Sequence, residues 1–417
     1  MLAQTASKVR AHVEEFSGIV SAGLCKPARR FVGEALYGIM ARQSVRLSEI
    51  GRALEEPIAL AKTATRLSRN LGRPALEWRI GAALLREGAR RIGQRTLLIL
   101  DLSDIIKPHA RAMEYLAEVR DGSTKTIGNG YWLCQVIGVE TGDAAITPLY
   151  GTLYSQTAAG FVSENHEMLR AIDRVGAATH GRGVWVIDRG GDRGELYAAL
   201  LAKGRAFVIR QLGTRHLLAG GRKLATAALA EDCPMHYATH VVRERAGAEA
   251  SLRLDYGCRP VRLPEHPDVP LWLVVVRGFG ADPLMLLTDL PMRKKRAVLW
   301  WLVSAYLTRW RIEDTIRFVK QSYDLEDIRV LSYQRLRNLV ALVTAASFFT
   351  AVVLGARVKL DILASHLLTA AKRIFGVPDF RYYALADGIR ELCTRHPRRG
   401  PANPTSTDPP QLTLALA

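Results

Sequence analysis

Cysteine is scarce and unpaired in this sequence. Cys25, Cys134, Cys233, Cys258 and Cys393 are scattered, odd in number and without a CxxC pair. That pattern excludes a disulfide framework and fits a reducing compartment. The first residues lack the progression from positive charge through an apolar stretch to small residues that marks a secretory signal, so a cytoplasmic location is expected. Internal repeats are absent, and with them a repeat architecture. Acidic residues are in deficit, 40 against 58 Lys and Arg, which leaves a net charge of +18. Such an excess favours a polyanionic partner, either nucleic acid or an anionic membrane surface. It is uneven: residues 1–100 hold 17 basic and 8 acidic side chains.

What is present reads as globular. The 417 residues are 48% hydrophobic and 24% charged, enough for a real core in two or three domains, which excludes disorder as the main state. One apolar run, residues 339–356, is long enough to resemble a membrane span. It stands alone, contains Thr344, Ser347 and Thr350, and is bracketed by Arg337 and Arg357. We read it as a helix buried against a sheet and expect no membrane.

Residues 1–95 read as a helical domain. In 44–56, Val45, Leu47, Ile50 and Leu54 form one apolar stripe; a second helix covers 61–71, and Gly72-Arg73-Pro74 breaks the pattern. Short helices with interspersed arginines suit DNA binding, while a basic bundle with solvated arginines accounts for the stretch equally well. From Thr96 the pattern changes. Strands are expected at 96–102, 130–140 and 144–155, a helix at 163–181, a strand at 183–188, a helix at 195–202 and a strand at 206–211. Three hairpin-connected strands followed by alternating helices and strands make a mixed sheet with helices packed on it, an α/β order that resembles a ribonuclease H-like core. Its first part covers 96–212. Residues 213–290 read as an inserted β-subdomain, and 291–375 as the second part of the core, with a long helix past Glu313 and the buried apolar helix. Residues 376–417 form a C-terminal segment whose Pro-, Ser- and Thr-rich tail from His396 is expected to be disordered.

Two acids occupy matched places. Asp101 ends TLLIL-D and Asp188 ends VWVI-D, so each is expected at the carboxyl end of a buried strand, where open α/β sheets place their sites. If the strands are neighbours, the carboxylates can share divalent ions. Either acid alone is more simply a cap on the following turn. In the segment 302–323, Tyr306, Arg309, Glu313 and Lys320 are spaced +3, +4 and +7. On one continuous helix these four fall within a sector of roughly 60°. A tyrosine, two cations and a carboxylate on one face can hold a metal and grip phosphates, although an exposed face with an Arg–Glu pair would look the same. Asp104 and Asp192 are understudies for Asp101 and Asp188. Glu326 and Asp327 read as a solvated helix end, and Asp121 as a turn residue. Cys233, His236 and His240 have zinc-like spacing but lack a fourth ligand, so a polar stretch in the insertion is preferred and no histidine is assigned to a metal.

At Tyr306-x2-Arg309-x3-Glu313-x6-Lys320 the sequence resembles the signature of the IS4-type DDE transposases of bacterial insertion sequences. Residues 101–123 resemble that family's first-acid region and 186–196 its second, and the 124 residues between Asp188 and Glu313 leave room for the family's β-insertion. The resemblance covers about residues 40–350 and implies Asp101, Asp188 and Glu313 as catalytic metal ligands. It implies Tyr306, Arg309 and Lys320 as DNA contacts near the element end, and the N-terminal domain as the reader of terminal inverted repeats. Two Mg²⁺ ions, with Mn²⁺ as a substitute, would serve cleavage and strand transfer. The implied partners are double-stranded DNA, both element ends and target, and a second protomer in a homodimer on DNA. A ribonuclease H-like nuclease without strand transfer would carry the same acids, and an inactive transposase-derived DNA-binding protein is a third reading. Some relatives carry a Trp on the strand before the signature helix that serves hairpin formation. Here Leu284 or Met285 stands at that place, so a hairpin intermediate does not follow.

Overall fold

The computed structural model describes residues 2–122, 124–143, 145–245, 248–292, 295–354, 358–359, 361–362 and 382–396. The tail beyond His396, expected to be disordered, lies outside the described residues. The chain divides into two compact units, one of residues 1–80 with 318–417 and one of 81–317. These divisions differ from the expected boundaries at 95 and 290, because continuous helices run across them and no shift in composition marks the place.

The first unit opens with α1 (Leu2–Val20), α2 (Lys26–Arg42), α3 (Leu47–Leu54), α4 (Leu60–Leu71) and the start of α5 (Leu76–Ala89). The expected stripe is visible in α3, where Ile50 and Leu54 are buried.

The second unit is built on a sheet. Its strands are β1 (Leu97–Ile106), β2 (Ala117–Arg120), β3 (Ile127–Val139), β4 (Ile146–Tyr154), β5 (Val184–Ile187) and β6 (Phe207–Arg210), with α6 (Glu164–Ala178) and α7 (Gly194–Ala202) between the later ones. β3 pairs antiparallel with β4 on one edge and β1 on the other, while β1, β5 and β6 run parallel. The core order β4-β3-β1-β5-β6, antiparallel then parallel, is the ribonuclease H-like mixed sheet expected from the sequence. The short β2, which the sequence reading lacks, pairs with the first residues of β3.

Alternation along the strands decides what faces where. Leu98 and Leu100 of β1, Trp185 and Ile187 of β5, and Phe207 and Ile209 of β6 share one core with Met168, Ala171, Ile172 and Val175 of α6 and Leu196, Tyr197 and Leu200 of α7. Leu97, Ile99 and Asp101 therefore face the other side of the sheet.

The insertion continues this sheet. It comprises β7 (His216–Ala219), β8 (Arg222–Ala225), α8 (Thr226–Glu231), β9 (Tyr237–Arg245), β10 (Ala248–Leu263), β11 (His266–Arg277) and β12 (Leu284–Thr288). β12 pairs antiparallel with β6, and β11 and β10 follow it outward. The outer edge of β6, which would otherwise leave its backbone groups unpaired, is satisfied this way. The unit closes with α9 (Lys295–Thr308) and most of α10 (Trp310–Ser322).

The first unit resumes with α11 (Tyr333–Phe348) and α12 (Tyr382–Arg395). The stretch Tyr333–Val353 is long and apolar enough to cross a membrane, yet 78% of its most apolar window is buried. It packs on helices and not on a sheet, which corrects the sequence expectation. Phe16 of α1 stacks on Phe348 with ring centres 5.8 Å apart. Periodicity shows that such a run is buried but cannot say against what. Asn338 of α11, fully buried, ties this unit together. Its amide donates to the carbonyls of Leu71 (2.7 Å) and Arg73 (2.8 Å) beyond the end of α4. Its oxygen accepts from the Glu77 amide at the start of α5, 2.9 Å away. Asn338→Leu leaves those buried groups unsatisfied and is expected to cost about 3 kcal/mol, read as a lower midpoint in chemical denaturation. An unchanged midpoint would show that water replaces the side chain.

Candidate active site

β1 runs five residues beyond Asp101, correcting the expectation that the strand ends there. Residues 102–106 remain paired with 130–134 of β3, which is 13 residues long. Asp101 stands instead where the shorter neighbour β5 stops. Leu100 lies opposite Ile187, so the register carried one residue further sets Asp101 beside Asp188. By alternation both carboxylates belong to the face not covered by α6 and α7.

Asp188 also does what a strand-terminal aspartate commonly does. Its Oδ1 accepts from the Gly190 amide at 2.7 Å, capping the short turn Arg189–Gly191. A Cβ at Gly190 would lie only 2.9 Å from that oxygen, so the turn admits the carboxylate because residue 190 is glycine. Oδ2 of Asp188 has no hydrogen-bond partner among the described residues.

The third element differs from the continuous helix expected over 302–323. The helix breaks at Arg309, between α9 and α10. The Arg309 amide donates to the Tyr306 carbonyl (3.1 Å) and the Ile312 amide to the Arg309 carbonyl (3.1 Å), each a tight three-residue spacing. Thr308 donates its hydroxyl back to the Ser304 carbonyl at 2.8 Å, a local bond that bends helices. Tyr306, Arg309, Glu313 and Lys320 consequently do not share one uninterrupted helical face.

Three of the expected residues, Tyr306, Arg309 and Glu313, nevertheless gather at Asp101. Arg309, 7% exposed, places Nη1 3.6 Å from Asp101 Oδ2 and Nη2 2.5 Å from Glu313 Oε1. Its guanidinium carbon lies 5.8 Å from the Tyr306 ring centre and 5.6 Å from that of Trp310. Its Nε is buried without a hydrogen-bond partner among the described residues. Lys320 lies beyond the division between the units, in the last turn of α10, and pairs with Glu326 at 3.0 Å.

The electrostatics are those of crowded negative charge. Burial, then the Asp188 carboxylate, pushes the Asp101 pKa up to about 7; Arg309 pulls it down and Glu313 adds to the rise. Burial opposes the charge on Arg309, but Tyr306, Asp101 and Glu313 outweigh it and raise that pKa. Arg309→Met should therefore destabilise the metal-free protein by about 2 kcal/mol at pH 8 and by much less at pH 5, where Asp101 is protonated. Urea denaturation in EDTA at the two pH values measures this. Equal losses at both would mean that the arginine acts by packing alone.

The understudies have other employment. Asp104 faces the opposite side of β1 and accepts from the Gly122 amide at 3.2 Å. Asp192 accepts from the Leu212 amide at 2.9 Å and pairs with Arg215. Asp121 organises its turn, accepting from the Thr124 amide. Asp327 pairs with Arg46 and Arg329. Cys233 is buried in the core while His236 and His240 are exposed, so that spacing builds no zinc site.

An oxygen-only set of three acids suits a hard divalent cation. Among the described residues, however, no three Asp, Glu, His or Cys side chains converge closely enough to hold a metal. The Arg309 guanidinium lies between Asp101 and Glu313 and supplies the positive charge in this arrangement.

Beside these residues, a cavity of about 600 Å³ is lined by Tyr306, Leu307 and Trp310 together with Arg210, Phe279 and Leu284, among others. The sequence reading singled out neither Arg210 nor Phe279. No local signal marks them, since only the pairing of β12 with β6 brings them near α9.

Comparison with known proteins finds a family match over just under half of the chain. Residues 142–349 match the family model of the transposase DDE domain, a span that includes Asp188 and Glu313 and begins after Asp101. No curated protein matches the sequence. Among solved structures, the chain is similar to piggyBac transposase in a cryo-EM synaptic complex with hairpin DNA. The two are 11% identical, with a TM-score of 0.47, over 96% of this chain and 80% of that one.

Proposed function

We propose, from the premise that residues 142–349 carry a transposase DDE domain, that this chain is a transposase of the IS4 type from a bacterial insertion sequence. It binds the terminal inverted repeats of its element, cleaves DNA there and joins the ends to target DNA. One observation carries the catalytic part: Asp101 and Asp188 meet at the same level of adjacent parallel strands, with Arg309 and Glu313 over the same face. Asp101, Asp188 and Glu313 would hold two divalent ions, Mg²⁺ or Mn²⁺, which supply an activated water or 3′-hydroxyl and stabilise the leaving oxygen.

The chain's own groups have distinct parts. The Gly190 amide orients Asp188 and leaves Oδ2 available. Arg309 screens Asp101 from Glu313, and on passing to a phosphate it would release both carboxylates for their ligand role. Tyr306 backs the guanidinium, and Lys320 adds a second cation for the strand near the element end. The basic N-terminal region recognises the ends, and two protomers hold two ends in a homodimer on DNA, in the cytoplasm against the nucleoid.

Purified protein incubated with its element's ends, with and without Mg²⁺ or Mn²⁺, tests the reading. Metal-dependent cuts at the element boundary are expected, together with products joined to target DNA. Cuts without joining would favour the nuclease reading. Tight, salt-sensitive binding without cutting under either metal would make the chain a DNA-binding protein only.

A further inference from the structure

We propose that α4 is the helix that reads DNA sequence, entering the major groove with Ala61, Lys62, Thr65 and Arg69. The proposal rests on the end-binding reading above and names the surface that performs it.

The 12 residues of α4 contain no acid. Thr63, Leu67 and Leu71 are buried, while Ala61, Lys62, Thr65 and Arg69 are exposed on the opposite face. The spacing of these four keeps them within about 100° around the helix axis. Neither the Lys62 nor the Arg69 side chain has an acidic partner among the described residues. Other cations of the same unit are engaged: Arg30 and Arg66 both pair with Glu34 and Glu56, and Arg52 pairs with Glu49. Glu34 and Glu56 are largely buried and neutralised by those pairs, so the α4 face presents positive charge. A shallow cavity of about 400 Å³ is lined by Ala61, Lys62, Thr65, Arg66, Arg69 and Asn70. Apart from Ala61, every one of these side chains carries a hydrogen-bonding group.

The placement suits reading as well as charge does. α3 and α4 are consecutive helices joined by residues 55–59, an order in which the second helix can present its exposed face to the major groove. A Cβ at Gly51 of α3 would stand 3.0 Å from Leu60 Cδ1, so glycine lets the two helices approach closely. Asn338 and Arg335 anchor the far end of α4, the latter donating to the Ser68 carbonyl at 3.1 Å. A helix of this length spans about 18 Å, and the groove of duplex DNA, about 12 Å wide, admits it. Lysine and arginine suit guanine edges, a threonine hydroxyl suits several bases, and the Ala61 methyl suits thymine.

The test uses the full chain. Duplexes with a randomised central segment are enriched for binding to the wild-type protein, and affinities for the selected and a scrambled duplex are read by fluorescence anisotropy at two salt concentrations. Lys62→Ala and Arg69→Ala are each expected to weaken the selected duplex roughly 5- to 100-fold, to weaken the scrambled one only a few-fold, and to change the base preferred at one or more positions. Thr65→Val should alter base preference while leaving the salt dependence as it was, since no charge is lost. Arg52→Ala, a paired cation of α3, should leave the selected sequence unchanged. Wild-type selection of a sequence that all three α4 variants still select would overturn the proposal and leave the end-binding reading standing. Equal weakening on both duplexes would make α4 a phosphate clamp and overturn it as a reader. Failure of the wild-type protein to select any sequence would overturn both. Thermal melting shows whether each variant is folded, and Thr65→Val keeps the test open should an alanine variant fail.

Discussion

Asp188→Asn is expected to reduce metal-dependent DNA cleavage about a thousandfold, roughly 4 kcal/mol of transition-state stabilisation, while duplex binding survives. The reason lies in how the two oxygens of Asp188 are used. Oδ1 is held by the Gly190 amide, and Oδ2 has no partner among the described residues. Asparagine can keep the oxygen that caps the turn, so the loop after β5 should stay folded. What it cannot keep is the negative charge beside Asp101. Cleavage of a labelled end duplex, measured alongside anisotropy on the same duplex, separates the two effects. Retention of cleavage within a factor of ten would remove Asp188 from the site. Loss of binding together with cleavage would mean that the turn had collapsed.

Asp101→Asn should do something less intuitive and make the metal-free protein more stable at pH 8. Burial and the neighbouring Asp188 carboxylate raise the Asp101 pKa from 3.8 to about 7. A raised pKa means that the folded chain binds this proton more tightly than the unfolded one. The associated stability is fully present below pH 4, falls as pH rises through 7, and is gone above it. Asparagine has no charge to lose, so its advantage should be near zero at pH 4 and of the order of 2–4 kcal/mol at pH 8. Urea denaturation in EDTA across that range measures it. Mg²⁺ should then stabilise the wild type at pH 8 and leave Asp101→Asn nearly unaffected, because the cation takes over the work of the missing proton. A variant less stable than the wild type at pH 8 would show that the carboxylate is compensated in the folded chain, and the electrostatic account of the site would fail.

The strand placement of two acids of the candidate site was legible before the fold was known, for a simple reason. Asp101 and Asp188 each follow an apolar run, and apolar runs bounded by turn residues report buried strands. The pairing needed one further fact, that β1 and β5 are parallel neighbours in matched register. The order of three strands, helix and strand already suggested this, and the topology supplied it. The parity that sends Asp104 to the opposite face is also a sequence property, but it becomes usable only when β1 is known to continue to Ile106.

Other features were beyond local pattern. Residues 302–323 contain no glycine or proline, so periodicity runs straight through the break at Arg309. The burial of that arginine between Asp101 and Glu313 depends on β1, over 200 residues earlier in the chain. The apolar run at 339–356 announces its burial by composition, yet its partners α1, α2 and α4 cannot be chosen from composition because any apolar surface would serve. The edge of β6 likewise had to be paired, but nothing local says that β12 would do it.

The sequence by itself determined the mixed α/β core, the two strand-associated aspartates, the excess of positive charge and the residue types of the signature, since these follow from periodicity, turn chemistry and composition within short windows. The tertiary structure decided which residues meet: the common level of Asp101 and Asp188, the arginine between two acids, and the division that joins the N-terminal helices to α11. Those depend on strand register and on helix packing between distant segments, and energies of that kind are set by surfaces that exist only once the chain has folded.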